Sequence, residues 1–130
     1  MTLPERASVA AAPNFLANLE AARLFLVEQD ATSAAERFRK LKQELREMVS
    51  VLSWSPAGGR PARFLTSRSV QARLRAESVK NLAAQVGLPS LREFVLGRYI
   101  VLYAHDESEV VLLALKHQRQ QIYFTKDQVG

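Results

Sequence analysis

From Asn14 onward, apolar residues recur at helical spacing: Phe15, Leu19, Ala22 and Leu26, with Leu16 and Val27 widening the stripe. Pro13 and Asn14 supply a start, because an asparagine side chain can cap the first free amide groups. The pattern breaks between Asp30 and Ser33, and Ser33 with Glu36 three residues later matches a capping box that opens a second helix. The second stripe reads Ala34, Phe38, Leu41, Leu45, Met48 and Leu52, in alternating steps of four and three. So short a connection between two amphipathic helices predicts an antiparallel hairpin over 14–53. Its other face (Arg37, Arg39, Lys40, Lys42, Glu44, Arg46, Glu47) carries both signs of charge and reads as solvated.

The segment from Trp54 to Pro61, WSPAGGRP, cannot continue a helix, since its two prolines lack amide donors and Gly58–Gly59 signals a turn. A third helical segment is expected from Arg63 to Val86, within a basic insertion over 63–88. Its apolar set is Val70, Leu74, Val79, Leu82, Ala83 and Val86, and Gly87 and Pro89 end it. After Pro89 the period changes. Leu91–Leu96, Tyr99–Ala104 and Val110–Lys116 are short runs rich in aliphatic and aromatic residues, separated by Gly97–Arg98 and by the polar stretch His105–Glu109. They predict three antiparallel strands over 90–118, the first two joined by a type II′ turn at Gly97. Tyr99–Tyr103 and Val110–Leu115 are apolar on both alternating faces, as central strands covered on both sides would be. Residues 6–11 are a candidate additional strand.

The expected architecture is α+β and one domain over 1–130: an N-terminal helix hairpin packed on a small antiparallel sheet, with an extra basic helix inserted before the meander. The hairpin covers one sheet face. The other either keeps an apolar groove for a partner or is covered by the helix around Val70–Val86.

Charge sharpens this picture. Trp54–Lys80 holds six basic residues (Arg60, Arg63, Arg68, Arg73, Arg75, Lys80) and the single acid Glu77, whereas elsewhere twelve basic residues face twelve acidic ones. The whole net charge of +5 is therefore local, and it suits an anionic partner as well as a solvated helix face. With no cysteine, disulfides, thiolate catalysis and cysteine-ligated metals are excluded. Two histidines, His105 and His117, are too few for a histidine-rich metal site, and no P-loop, dinucleotide fingerprint or HExxH element is present. No apolar run is long enough to span a bilayer and no secretory pattern opens the chain, so a cytoplasmic location without membrane attachment is the expectation.

Three pieces of the C-terminal half occur in order: Leu91-Arg92-Glu93-Phe94, Gly97-Arg98-Tyr99-Ile100-Val101-Leu102-Tyr103, and Val110 through Lys116-His117-Gln118-Arg119-Gln120. Together they resemble the RelE/ParE superfamily of type II toxin–antitoxin toxins. The preceding hairpin and Gly59-Arg60-Pro61 resemble its ParE, plasmid-stabilisation branch. The basic segment 63–88 is longer than the linker of that pattern. The resemblance implies a toxin silenced by a co-encoded antitoxin that wraps it, with no cofactor and no metal. ParE-like members inhibit DNA gyrase; RelE-like members are endoribonucleases that cleave messenger RNA on the ribosome.

The two branches ask different things of the residues. RNA cleavage needs a base, a cationic group for the phosphate and an acid in one concave site. Arg92, His117, Arg119 and Tyr123 are the candidates, with His117 and Arg119 on one face if the last strand continues. His117 reads equally as a strand-end group bonded within the fold. On the ParE reading no residue is catalytic, and Arg60, Arg68, Arg73, Arg75 and Arg119 are candidates for partner binding. A degenerate, non-toxic antitoxin-binding module is the remaining alternative.

Overall fold

In a computed structural model of the chain, residues 6–62, 70–120 and 123 are described. In chain order they form β1 (Ser8–Ala11), α1 (Pro13–Gln29), α2 (Ala31–Trp54), a single 3₁₀ turn at Pro56–Gly58, β2 (Arg60–Pro61), α3 (Val70–Val86), β3 (Ser90–Leu96), β4 (Tyr99–His105) and β5 (Glu109–His117). The sheet order is β1-β5-β4-β3-β2. All neighbours are antiparallel except β1, which lies parallel to β5, so the sheet is mixed and not purely antiparallel. The α+β architecture with an N-terminal hairpin is as expected.

The alternating stripe of α2 is what docks the hairpin. Leu41, Leu45, Met48 and Leu52 are buried there, and they pack with Phe15 of α1 against Val101 and Tyr103 of β4 and Val110, Leu112 and Leu115 of β5. A fully buried leucine stabilises the fold by about 1.5–3 kcal/mol, so this face carries much of the driving force. The helix begins earlier than the capping-box reading placed it. Asp30 is the cap: its carboxylate accepts from the Thr32 amide at 3.0 Å and from the Ser33 hydroxyl at 3.0 Å, which holds its pKa below the usual aspartate value. Aspartate supplies two acceptor oxygens where serine supplies one, and the Asp30 amide also closes α1 on the Leu26 carbonyl at 3.0 Å.

Asn14 does not cap α1 either. Ala12 occupies the cap position with no side-chain bond, and Pro13 starts the helix with its fixed φ and no amide to satisfy. Asn14 is buried and donates to the Leu113 carbonyl at 3.1 Å, while Asn18, one turn on, accepts from the Leu115 amide at 3.0 Å. These two bonds meet β5 at an irregularity. Leu102 lies opposite Ala114 and Tyr103 opposite Leu112, so Leu113 is an extra residue in the strand. The bulge reverses the alternation. Val110 and Leu112 face the hairpin before it, and Leu115 faces the hairpin after it.

On the opposite face, α3 lies over the sheet. Val79 is buried, and Leu82, Ala83 and Val86 pack against Ile100, Leu102, Ala104, Leu113 and Ala114. The apolar groove considered for that face is thus covered from within the chain. The helix runs from Val70, and the Arg63 start lies outside the described residues, as do the side chains of Val70 and Leu74. It ends as expected at Gly87, with φ +72°. Gly97 has φ +59° while Arg98 keeps negative φ, in keeping with the type II′ turn between β3 and β4.

Gly59 leads into β2, a strand too short and too proline-bound to show in the periodicity. A Cβ there would lie 2.5 Å from the Glu93 carbonyl oxygen and 2.7 Å from the Tyr103 hydroxyl, closer than any side chain tolerates. Replacing Gly59 with alanine is expected to destabilise the protein by roughly 1–3 kcal/mol, the usual cost of forcing extra atoms into a packed site. Urea denaturation measures it; an unchanged midpoint would contradict the close packing of this segment.

Candidate functional site

Three polar clusters are assembled from residues distant in sequence. The first lies on the hairpin side near the end of α2. Tyr103 is fully buried, and its hydroxyl donates to the Pro56 carbonyl and accepts from the Gly59 amide, each at 2.8 Å. Burial, chiefly, raises its pKa. Arg92, directly across from Tyr103 in the ladder, donates through Nη1 to the Gly59 carbonyl at 3.1 Å and through Nε to His105 Nε2 at 3.2 Å. Because guanidinium only donates, His105 Nε2 must accept, so Nδ1 carries the hydrogen and donates to the Asp106 carbonyl at 3.1 Å. This cluster seals the junction between helix and sheet with every named group engaged.

The second cluster is on the α3 side. Arg60 and Glu93 are ladder partners across β2 and β3, and Arg60 Nε sits 3.6 Å from Glu93 Oε1. Glu93 is buried beneath Tyr123, whose hydroxyl donates to Glu93 Oε2 at 2.5 Å. Burial first, then the bond and charge of Glu93, push the Tyr123 phenol far above its ordinary range, so it stays a donor. Lys116 lies 4.9 Å over the Tyr123 ring and donates to the Gln120 carbonyl at 3.1 Å. Desolvation lowers the Lys116 pKa, partly offset by Glu93. This is a buried polar plug that fixes Tyr123 to the sheet.

The third cluster is solvent-facing and sits at the β3–β4 turn. The Tyr99 and His117 rings meet edge to face with centroids 5.4 Å apart. Burial, chiefly, raises the Tyr99 pKa, against Arg37 of α2 and Arg98 of the turn and with the Glu44 carboxylate of α2, which lies beside Gly97; Arg98 and Arg119 act on His117. Desolvation first, then Arg119 and Arg98, lower the His117 pKa. Arg119 does not extend the strand. β5 ends at His117, and the chain turns so that the Arg119 amide donates to His117 Nδ1 at 3.2 Å while Gln120 closes back on the His117 carbonyl and amide.

The four residues of the nuclease reading are therefore not brought together. His117 and Arg119 are neighbours, but Arg92 lies opposite Tyr103, four residues further along β4 from the Tyr99 that pairs with His117. That is about 13 Å along the strand. Tyr123 is buried on the other face. Of the partner-binding candidates, Arg119 is exposed and Arg60 is turned to Glu93; Arg68 and the side chains of Arg73 and Arg75 lie outside the described residues. Sequence reasoning passed over Glu93 and His105 as buried polar anchors, and Arg37 and Arg98 as members of a basic corner. The alternation of β3 carries the signal for Glu93, since it puts Arg92 and Glu93 on opposite faces of a core sheet. Nothing local signals the corner. Among the described residues, no three His, Asp or Glu side chains are grouped to hold a metal ion, and no helix is long and apolar enough to cross a membrane.

The sequence matches, over residues 9–122, the family described as ParE toxin of type II toxin-antitoxin system, parDE. A search of curated proteins finds no significant match.

Two expectations follow from the clusters. Tyr123→Phe removes a donor from a buried carboxylate and is expected to cost roughly 1–3 kcal/mol in urea denaturation, with an unchanged midpoint the contrary result. For His117, the folded pKa lies below the ordinary 6.5, so the unfolded chain binds more protons between those values. Its contribution to stability is neutral above that window and turns unfavourable as pH falls through it. The stability difference between the protein and its His117→Gln variant should therefore shift in the variant's favour from pH 7 downward; a difference independent of pH would overturn the assignment.

Proposed function

The chain belongs to the ParE toxin family of type II toxin–antitoxin systems, and from that premise we propose that it is a non-enzymatic toxin that binds and inhibits DNA gyrase in the cytoplasm. A co-encoded antitoxin holds it silent. The observation that carries the non-enzymatic reading is the dispersal of the nuclease candidates. Arg92 is spent on Gly59 and His105, Tyr123 is buried against Glu93, and His117 stands at the far end of the sheet. General acid–base cleavage of RNA needs those groups around one phosphate. What the surface offers instead is positive charge. The Arg37, Arg98 and Arg119 corner suits acidic protein or DNA held by the target enzyme, and so, by its sequence alone, does the basic segment with Arg68, Arg73 and Arg75, which lies outside the described side chains. Arg60, a further candidate contact, is paired with Glu93 while its side chain stays part-exposed.

The test is a supercoiling assay with purified gyrase and no ribosomes. The chain should inhibit supercoiling, and His117→Gln should leave inhibition essentially intact. Cleavage of ribosome-bound message, lost by roughly 100-fold or more in His117→Gln as removal of a general acid or base requires, would replace this reading with the endoribonuclease one. The partner surface is tested separately. Reversing Arg68, Arg73 and Arg75 to glutamate is expected to slow antitoxin association and flatten its salt dependence while the fold is kept, because surface charge acts mainly on encounter rate. Unchanged association kinetics at low salt would reduce the segment to a solvated face.

A further inference from the structure

Helix α1 is unusual for a surface helix. Among its seventeen residues only Glu20, Arg23 and Glu28 are charged, and apolar side chains lie all round its axis. Phe15 and Leu26 are buried inward, with Leu19 and Ala22 packed beside them. Leu16, Leu24, Phe25 and Val27 remain largely exposed, with Leu16 54% and Phe25 53% accessible; Leu16 and Val27 share one side of the axis and Phe25 lies on another. A helix that is apolar all round is ordinarily covered all round, so the outer side asks for a partner.

The pattern of that side says which partner. Leu16, Glu20, Arg23 and Val27 follow steps of four, three and four, the spacing of a helix–helix seam, and fall within an arc of about 60° at 100° per residue. The seam is self-complementary. The midpoint of Leu16 and Val27 and the midpoint of Glu20 and Arg23 are the same point, between Ala21 and Ala22 and close to the centre of α1. A two-fold axis there lays the helix antiparallel on a copy of itself. It sets leucine on valine at both ends and glutamate on arginine twice in the middle. Within one chain Glu20 and Arg23 already pair, with Arg23 Nη2 2.5 Å from Glu20 Oε1 and Nε 3.0 Å from Oε2, so the copy would complete a four-charge network. Ala17 and Ala21, exposed and small, do not hold a second helix away.

We propose that the outer face of α1 is a homodimer interface, in which two copies pack antiparallel through Leu16, Glu20, Arg23 and Val27 about a two-fold axis between Ala21 and Ala22. A single helix face is small beside the ~1,200 Å² that marks the low end of stable interfaces, so the proposed dimer is a weak, reversible one. It is independent of the gyrase reading, because the Arg37, Arg98 and Arg119 corner lies outside α1.

The test is sedimentation equilibrium of the full chain, made by cell-free synthesis, across the micromolar range, with circular dichroism to confirm that each variant folds. Glu20→Arg and Arg23→Glu each turn two attractions into repulsions and should weaken the dimer at least about tenfold. The double variant E20R/R23E restores the complementarity and should return the affinity to within about threefold of the original. Leu16→Ser should weaken it independently of charge. A chain that stays monomeric throughout overturns the proposal, as does a dimer indifferent to the single reversals. A double variant as weak as the singles also overturns it, and if antitoxin binding falls in parallel, it assigns the face to an antitoxin helix instead.

Discussion

The Tyr103 hydroxyl is the point through which the two halves of the chain are joined. It sits under the end of α2, with the Pro56 carbonyl on one side and the Gly59 amide on the other. A buried phenol needs such partners, and the approach leaves no room for a side chain at residue 59. Glycine there lets the backbone settle against β3, which makes β2 a strand at all and sets Arg60 opposite Glu93. From that pairing follows the plug on the other face, because Glu93, once buried beside Arg60, also receives the hydroxyl of Tyr123. Arg92 clamps the same Gly59 from the hairpin side. One close approach thus organises polar groups on both faces of the sheet.

Those commitments bear on function by elimination. Groups of the types that cleave RNA are present, yet two of them are occupied in holding the fold together, and they lie on opposite faces. Among the described residues, exposed arginines gather at the β3–β4 corner, and apolar side chains stay exposed on the outer side of α1. Both suit association with the antitoxin partner that the family implies.

Much of the fold was legible in the sequence, and the gaps have physical causes. The stripe from Ala34 to Leu52 is long and regular, so the hairpin stood out; β4 and β5 were visible because both their faces are apolar. The cap moved from Ser33 to Asp30 because two nearby residues compete for the same amides. The extra residue at Leu113 was invisible, since a strand apolar on both faces shows no break in alternation when its parity reverses. The parallel pairing of β1 with β5 joins the two ends of the sheet in sequence, and no local pattern encodes such a contact. The same limit hid the basic corner. Arg37, Arg98 and Arg119 come from a helix, a turn and a strand end, and each alone looks like ordinary solvated charge. Arg60 stands out as a partner-binding candidate within Gly59-Arg60-Pro61, but its turn toward Glu93 depends on a strand of two residues.

The central claim is that this chain is a toxin whose effect is relieved by binding, and growth on induction measures it most directly. The chain is expressed alone, and then together with the product of the adjacent reading frame. Arrest is expected in the first case and normal growth in the second. Healthy growth while the chain alone accumulates as soluble, folded protein would contradict it.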